Sequence, residues 1–316
     1  MLDTLQQIFP YVISFTIPLL ITALGALYSE RSGVTNIGLD GLMIVGSFVG
    51  AFTIVQLQDK LGGNLPLWIG LLVAVVAGII FSLLHAFASI NLNADQIISG
   101  TAINMIAGAL TIFLARNITG SGNIRIMQGF IPKDIPVLSN IPIIGEFFFK
   151  NTYASTWLAL VIFGVLTFVL YKTPFGMRLR ACGEHPQAAD AAGINVYKMR
   201  YIGVMISGGL SALGGAIMIV TYSGEFNGNV GGLGFLALAA LIFGQWKPIG
   251  ILGATLFFGF ASTIANVSQV IPELSYFPPV ILKIFPYVMT LIALIIFSKS
   301  SRAPKAVGEP FDKGKR

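Results

Sequence analysis

Residues 172–200, KTPFGMRLRACGEHPQAADAAGINVYKMR, hold the densest polar chemistry in a chain that is otherwise largely apolar. Lys172, Arg178, Arg180, Lys198 and Arg200 stand against Glu184 and Asp190, between hydrophobic runs at 153–171 and 201–221. Pro186 suits the first position of a helix, where its missing N–H costs nothing. Ala188, Ala189, Ala191 and Ala192 propagate that helix, and Gly193 can close it as a left-handed cap. About two helical turns are not stable alone. The spacing therefore predicts a short, small-sided helix over 186–192 that lies against something, either its own bundle or a partner.

Other chemistries find little support. No G-x-x-x-x-G-K-[ST] occurs, so a Walker-type ATPase site is not expected in this chain. Gly232-Leu-Gly234-Phe-Leu-Ala237 matches a dinucleotide pattern but sits in an apolar run without a βαβ context. His85 and His185 lack the acidic or histidine neighbours of a metal site. The single cysteine, Cys182, excludes an internal disulfide. Nothing resembles the G-x-S-x-G of a hydrolase. Carboxylates inside a membrane would suggest ion coupling. Asp40 and Asp95 fall near span ends instead, where Asp40 suits a helix N-terminus or a pairing with Arg31. That argues against an ion-driven carrier and for energy from elsewhere. Uncharged polar groups remain for a pathway. Asn104 lies mid-span, Asn36 and Asn266 toward span ends, and Gln245 near the end of a short span. Asn36, Asp40, Asn104 and Gln245 are the pathway candidates, with helix–helix bonding as the competing role.

The composition fixes the setting. Of 316 residues, 55% are hydrophobic and only 10% charged, where a soluble domain has about 25% charged. Mean hydropathy is +0.83. A span needs about 20 apolar residues. The candidates are 8–28, 36–56, 66–90, 95–116, 153–171, 201–221, 231–246, 250–270 and 279–298, about nine in all, with 231–246 short and glycine-rich. The expected fold is an all-α polytopic bundle. Thirteen of 19 Lys and Arg fall on one side if 172–200 and the tail are cytoplasmic, and five on the other. That satisfies the positive-inside rule and puts the N-terminus outside. The net charge of +6 then reflects topology, not nucleic-acid binding. The first span, 8–28, has no basic leader before it and is expected to be retained. A transmembrane domain covers 1–300, with an external loop at 117–152 containing an apolar piece at 141–149. A basic cytoplasmic tail at 301–316 is expected to be disordered. Gly33, Gly38, Gly41 and Gly46 after the first span echo Gly228, Gly231, Gly234 and Gly244 after 201–221. The two spans run in opposite directions, as in the inverted repeats of transporters.

Three blocks carry a resemblance: ERSGVTNIGLDGLMIVG (30–46), GMRLRACGEHPQAADAAGIN (176–195) and GGLGFLALAALIFG (231–244). They resemble the permeases of ABC importers of the branched-chain amino acid, ribose and nucleoside type, over about 10–300. Within that family Arg31–Asp40 looks more like the simple-sugar and nucleoside permeases. The resemblance implies a type II importer fold in two inverted halves, in the bacterial plasma membrane. It makes Glu184, His185, Pro186, Gln187, Ala188, Ala189, Ala192, Gly193 and Ile194 the coupling segment that docks on a cytoplasmic ATPase. That ATPase would hold the ATP and Mg, leaving no cofactor in this chain and no enzyme activity of its own. The further partners implied are a second permease chain, related but not identical, and an extracellular substrate-binding lipoprotein. The implied substrate is a nucleoside. The alternatives are a ribose-type sugar or branched-chain amino acid permease, or an ion-coupled secondary transporter.

Overall fold

The computed structural model of the chain describes residues 2–142, 144–267 and 302–314, with scattered positions between 280 and 295. The expected span 279–298 falls largely outside the described residues. The helices α1 (Leu2–Arg31), α2 (Leu39–Gln58), α3 (Leu65–Ile90), α4 (Gln96–Thr119), α6 (Ala154–Lys172), α9 (Val196–Met218) and α11 (Pro248–Val267) each follow an apolar run expected to span. Among the described residues, seven helices are long and apolar enough to cross a bilayer. The run 231–246 forms only α10 (Leu233–Phe243), whose 11 residues rise about 16 Å, half a hydrocarbon core. The protein is a multi-pass membrane protein.

Helices α1, α2 and α9 are buried over most of their length, while α4 and α6 leave most of theirs exposed. The small residues of α9 explain its central place. A methyl group added at Gly215 would lie 2.0 Å from the Met43 carbonyl, and one at Gly46 would lie 2.0 Å from the Ala212 carbonyl. Backbone therefore meets backbone between α2 and α9, the packing that small residues permit where lipid removes the hydrophobic drive. Periphery and centre differ in side chains accordingly. Ile98, Met105 and Phe113 of α4 are exposed, whereas Leu210, Leu213 and Ile217 of α9 are buried.

On the face opposite 172–200, the long loop 117–152 is ordered against the bundle. Its strand β1 (Ile124–Arg125) pairs antiparallel with β2 (Glu225–Phe226), just after α9. Gln58 donates to the Gln128 carbonyl at 2.7 Å and accepts from Met127 N–H at 2.9 Å. The apolar piece forms helix α5 (Ile144–Phe148), where Phe147 and Phe148 set ring edges on Phe9 of α1.

The tail departs from expectation. Residues 302–314 are ordered in the described structure, with Ala306 and Phe311 buried. Its composition is polar, but it supplies one aromatic anchor and backbone partners to a surface that lacks them.

Candidate coupling face and translocation site

The 172–200 segment folds as two helices, not one. Helix α7 (Pro174–Glu184) begins at Thr173, whose Oγ1 accepts from Gly176 N–H at 3.3 Å. Helix α8 (Pro186–Ala191) follows, with Pro186 at its first position. It ends in a Schellman motif: Gly193 N–H donates to the Asp190 carbonyl at 2.9 Å and Ile194 N–H to the Ala189 carbonyl at 3.0 Å. Gly193 has φ +80°, the left-handed value that its lack of a Cβ allows. His185, Gln187, Ala188, Ala192 and Gly193 are exposed, Glu184 and Ile194 half-buried. Pro186 and Ala189 turn inward, Ala189 among Cys182, Val196 and Phe311. Sequence reading groups Ala189 with the contact surface; the structure makes it the residue that seats the helix. The exposed face left over is small and uncharged.

The tail holds this segment from the other side. Ala306 N–H donates to the Gly183 carbonyl at 2.9 Å, and Gly308 N–H to the Gly33 carbonyl at 3.2 Å. Arg200 donates to the Glu309 carbonyl at 2.9 Å, and Lys313 pairs with Asp190 at 3.6 Å. Phe311 sets its ring edge-on to Tyr197. Burial pushes the Cys182 thiol up to about 11, only partly opposed by Arg200.

Arg31, at the end of α1, joins the segment to the bundle. It pairs with Glu184 at 3.5 Å and donates to the Trp246 carbonyl at 2.8 Å. Its neighbour Glu30 accepts from the Trp246 indole N–H. Gln245 and Trp246 form the corner between α10 and α11, at φ +53° and +52°. Two consecutive non-glycine residues in that region store about 1–3 kcal/mol each. The corner persists because Glu30 and Arg31 grip Trp246 from both ends. No spacing in the sequence announces this grip, because its residues lie over 200 positions apart.

Three of the four pathway candidates gather at the start of α2. Asn36 donates to Ser207 Oγ at 3.0 Å and accepts from Gly38 N–H at 3.1 Å. Asn104 accepts from Gly41 N–H at 2.7 Å and donates to the Ile37 carbonyl at 3.1 Å. Asp40 accepts from Gly234 N–H at 2.9 Å. Gln245 sits apart, at the strained corner. Asp40 makes no hydrogen bond or ion pair with Arg31; it accepts instead from the first turn of α10. Asn104 lies eight residues along α4 from Gln96, so α2 begins about 12 Å in from that end of α4. Sequence reading places Asp40 near a membrane surface; the loop 32–38 carries it inward. The N-termini of α2 and α10 therefore meet within the bundle, each after a glycine-bearing stretch. Discontinuous helices of this kind build transporter sites.

Above α10, on the face opposite 172–200, lies a cavity of 520 Å³. Phe15 of α1, Tyr222 and Ser223 after α9, the re-entering stretch 227–233, and Ser262 and Asn266 of α11 line it. Of these, only Asn266 is visible beforehand as a polar group in a span. The run Asn227-Gly228-Asn229 in an apolar region was the available signal for the others.

Interrupted helices meeting inside a bundle of apolar spans are the architecture of a membrane transporter, and comparison with known proteins makes the class a permease of the ABC type. Over 92% of this chain and 85% of the other, the fold matches the inward-facing structure of a chain assigned to the metal-chelate type of ABC transporter, with a TM-score of 0.51 at 15% identity. Residues 8–294 match the branched-chain amino acid transport system permease component, and the chain belongs to that family. It is similar to the guanosine ABC transporter permease protein NupQ of Bacillus subtilis, 47% identical over 99% of this chain and 98% of that one. It is similar also to the nucleoside ABC transporter permease protein NupC of Lactococcus lactis, 42% identical over 99% of both chains.

Proposed function

We propose that this chain is the nucleoside-conducting permease of an ATP-driven importer. Its likeness along essentially the whole chain to a guanosine permease and a nucleoside permease carries the reading. In this reading α7, α8 and the tail face the cytoplasm, and the α8 surface at Gln187, Ala188 and Ala192 enters a groove of a separate ATPase. ATP and Mg bind on that ATPase. A second, related permease chain completes the pathway, and an external binding lipoprotein delivers substrate to the face bearing loop 117–152.

The geometry supplies a route for coupling. Displacement of α8 moves Glu184, one turn away, and through it Arg31. Arg31 and Glu30 together hold Trp246 at a strained corner. Release or tightening of that grip rotates α10, whose other end is tied to Asp40 at the start of α2. A local push is thereby delivered to the point where the two interrupted helices meet. Packed interfaces of this kind switch between discrete arrangements.

Uptake of labelled guanosine and uridine by cells carrying the complete transporter tests the reading. Unlabelled nucleosides should compete, while ribose and leucine should not; ribose competing as well as uridine would contradict it. Ala188→Glu adds bulk and charge to the exposed face of α8 and should leave the protein in the membrane but abolish co-purification of the ATPase. Retained ATPase at wild-type yield would make the segment a structural cap only.

A further inference from the structure

The cavity above α10 is lined by polar side chains that keep hydrogen-bonding capacity. Asn227 and Asn229 each use the side-chain oxygen to accept a backbone N–H two residues ahead, from Asn229 at 3.1 Å and from Gly231 at 2.7 Å. Those bonds fix both carboxamides and leave their NH₂ groups available as donors. Asn266 does the reverse: its NH₂ donates to the Ser262 carbonyl at 2.9 Å, which leaves its oxygen as an acceptor. The Tyr222 hydroxyl has no hydrogen-bond partner among the described residues. Its ring lies against Phe15, centroids 4.4 Å apart and planes tilted by 41°. Asn36 and Asn104, at the start of α2, are instead consumed by the fold on both sides of their amides.

The charge of the lining decides what class of solute fits. None of the described residues that line the cavity is charged. An amino acid brings a carboxylate and an ammonium, and a nucleotide a phosphate; each would be desolvated here without a counter-charge, which is costly. A simple sugar would satisfy the polar groups but leave the aromatic pair unused. A planar base joined to a hydroxylated sugar uses both. The volume of 520 Å³ lies within the range of about 300–1,000 Å³ typical of small-molecule sites.

We infer that this cavity is where the permease receives and selects its nucleoside, with the Phe15–Tyr222 pair against the base and Asn227, Asn229 and Asn266 on its polar edges and the sugar hydroxyls. The inference rests on the nucleoside reading above and adds to it the site and its basis for selection. It also explains how a chain of the branched-chain amino acid permease family would exclude amino acids.

The complete importer, reconstituted in proteoliposomes with its binding protein saturated, provides the test. Guanosine and uridine uptake are compared in wild type, Tyr222→Ala, Tyr222→Phe and Asn266→Leu. Tyr222→Ala should reduce guanosine uptake about tenfold and uridine uptake by less, because the larger base loses more stacking area. Tyr222→Phe should keep the guanosine-to-uridine ratio of wild type, and Asn266→Leu should change it. A structural defect would lower both solutes equally, so equal losses, or no losses, in Tyr222→Ala and Asn266→Leu overturn the inference. If Tyr222→Ala does not assemble, Asn266→Leu decides alone, since it changes one exposed side chain near the end of α11. A wild-type importer that carries no nucleoside would instead overturn the functional reading itself.

Discussion

The two ends of the bundle use their polar side chains differently. Around α8 the charged side chains are tied to one another or to backbone: Glu184 with Arg31, Arg31 with Trp246, Asp190 with Lys313, Arg200 with the tail backbone, although Arg31 Nε and Arg200 Nε and Nη2 keep no partner among the described residues. Around the cavity, Tyr222, Asn227, Asn229 and Asn266 keep hydrogen-bonding capacity in reserve. An interlocked end resists deformation and so transmits displacement. An end with unused donors and acceptors is suited to a visiting solute. Between them stands α10, too short to span and tied at one end to Asp40 and at the other to the Glu30–Arg31 grip.

Breaking the interlocked end should have the largest effect. Gly193→Val places a β-branched residue at φ +80° and should cost about 1–3 kcal/mol of local stability. Transport should be abolished while membrane insertion stays normal, as uptake assays beside membrane-fraction blots would show. Next, Arg31→Met removes the link from Glu184 to Trp246 without removing bulk. Uptake should fall about tenfold while the ATPase still co-purifies and hydrolyses ATP. If uptake is retained, force reaches α10 by another route.

The tail provides a sharper contrast, with a larger local cost but a smaller effect on transport. Phe311→Ala empties a buried aromatic site, a change of about 3–5 kcal/mol in a well-packed core. Its burden falls on α7, α8 and the tail, so limited proteolysis should cut 172–200 several-fold faster while the spans stay protected. Unchanged proteolysis would mean that the tail rests on the segment without supporting it. The smallest effect concerns Cys182. Its buried thiol is raised to about 11, so at pH 7 it holds almost no thiolate, the reactive form. Maleimide labelling of wild type should be near background at pH 7, and Phe311→Ala should increase it. The same silence makes Ser121→Cys and Lys305→Cys clean topology probes, and they should label from opposite sides of the membrane.

Much of this was legible beforehand where the signal is local. The Pro186 start, the alanine run and the Gly193 stop of α8 are short-range chemistry, and the structure follows them. The apolar runs gave the spans because each must satisfy its own backbone in lipid. The shortness of 231–246 was visible, and so was the polarity of Asn104. The tail misled because composition reports average polarity, while docking depends on Phe311 meeting Tyr197 and on backbone groups at 306, 308 and 309. The inward position of Ala189 is not legible in the sequence, because a helix of six residues has too few positions to show a buried stripe.

The sequence by itself determined that this chain lies in a membrane as a helical bundle with one polar segment of helical design, because hydropathy, helix stops and lysine and arginine placement act within a few residues. Only the tertiary structure decided what Arg31, Trp246, Asp40 and Asn229 do. Arg31 meets Trp246 across 215 positions, and Asp40 meets Gly234 across 194. Such pairings follow from how closely α1, α2 and α9 can approach, and that distance is set by glycines on facing helices acting together, which no local window of the chain contains.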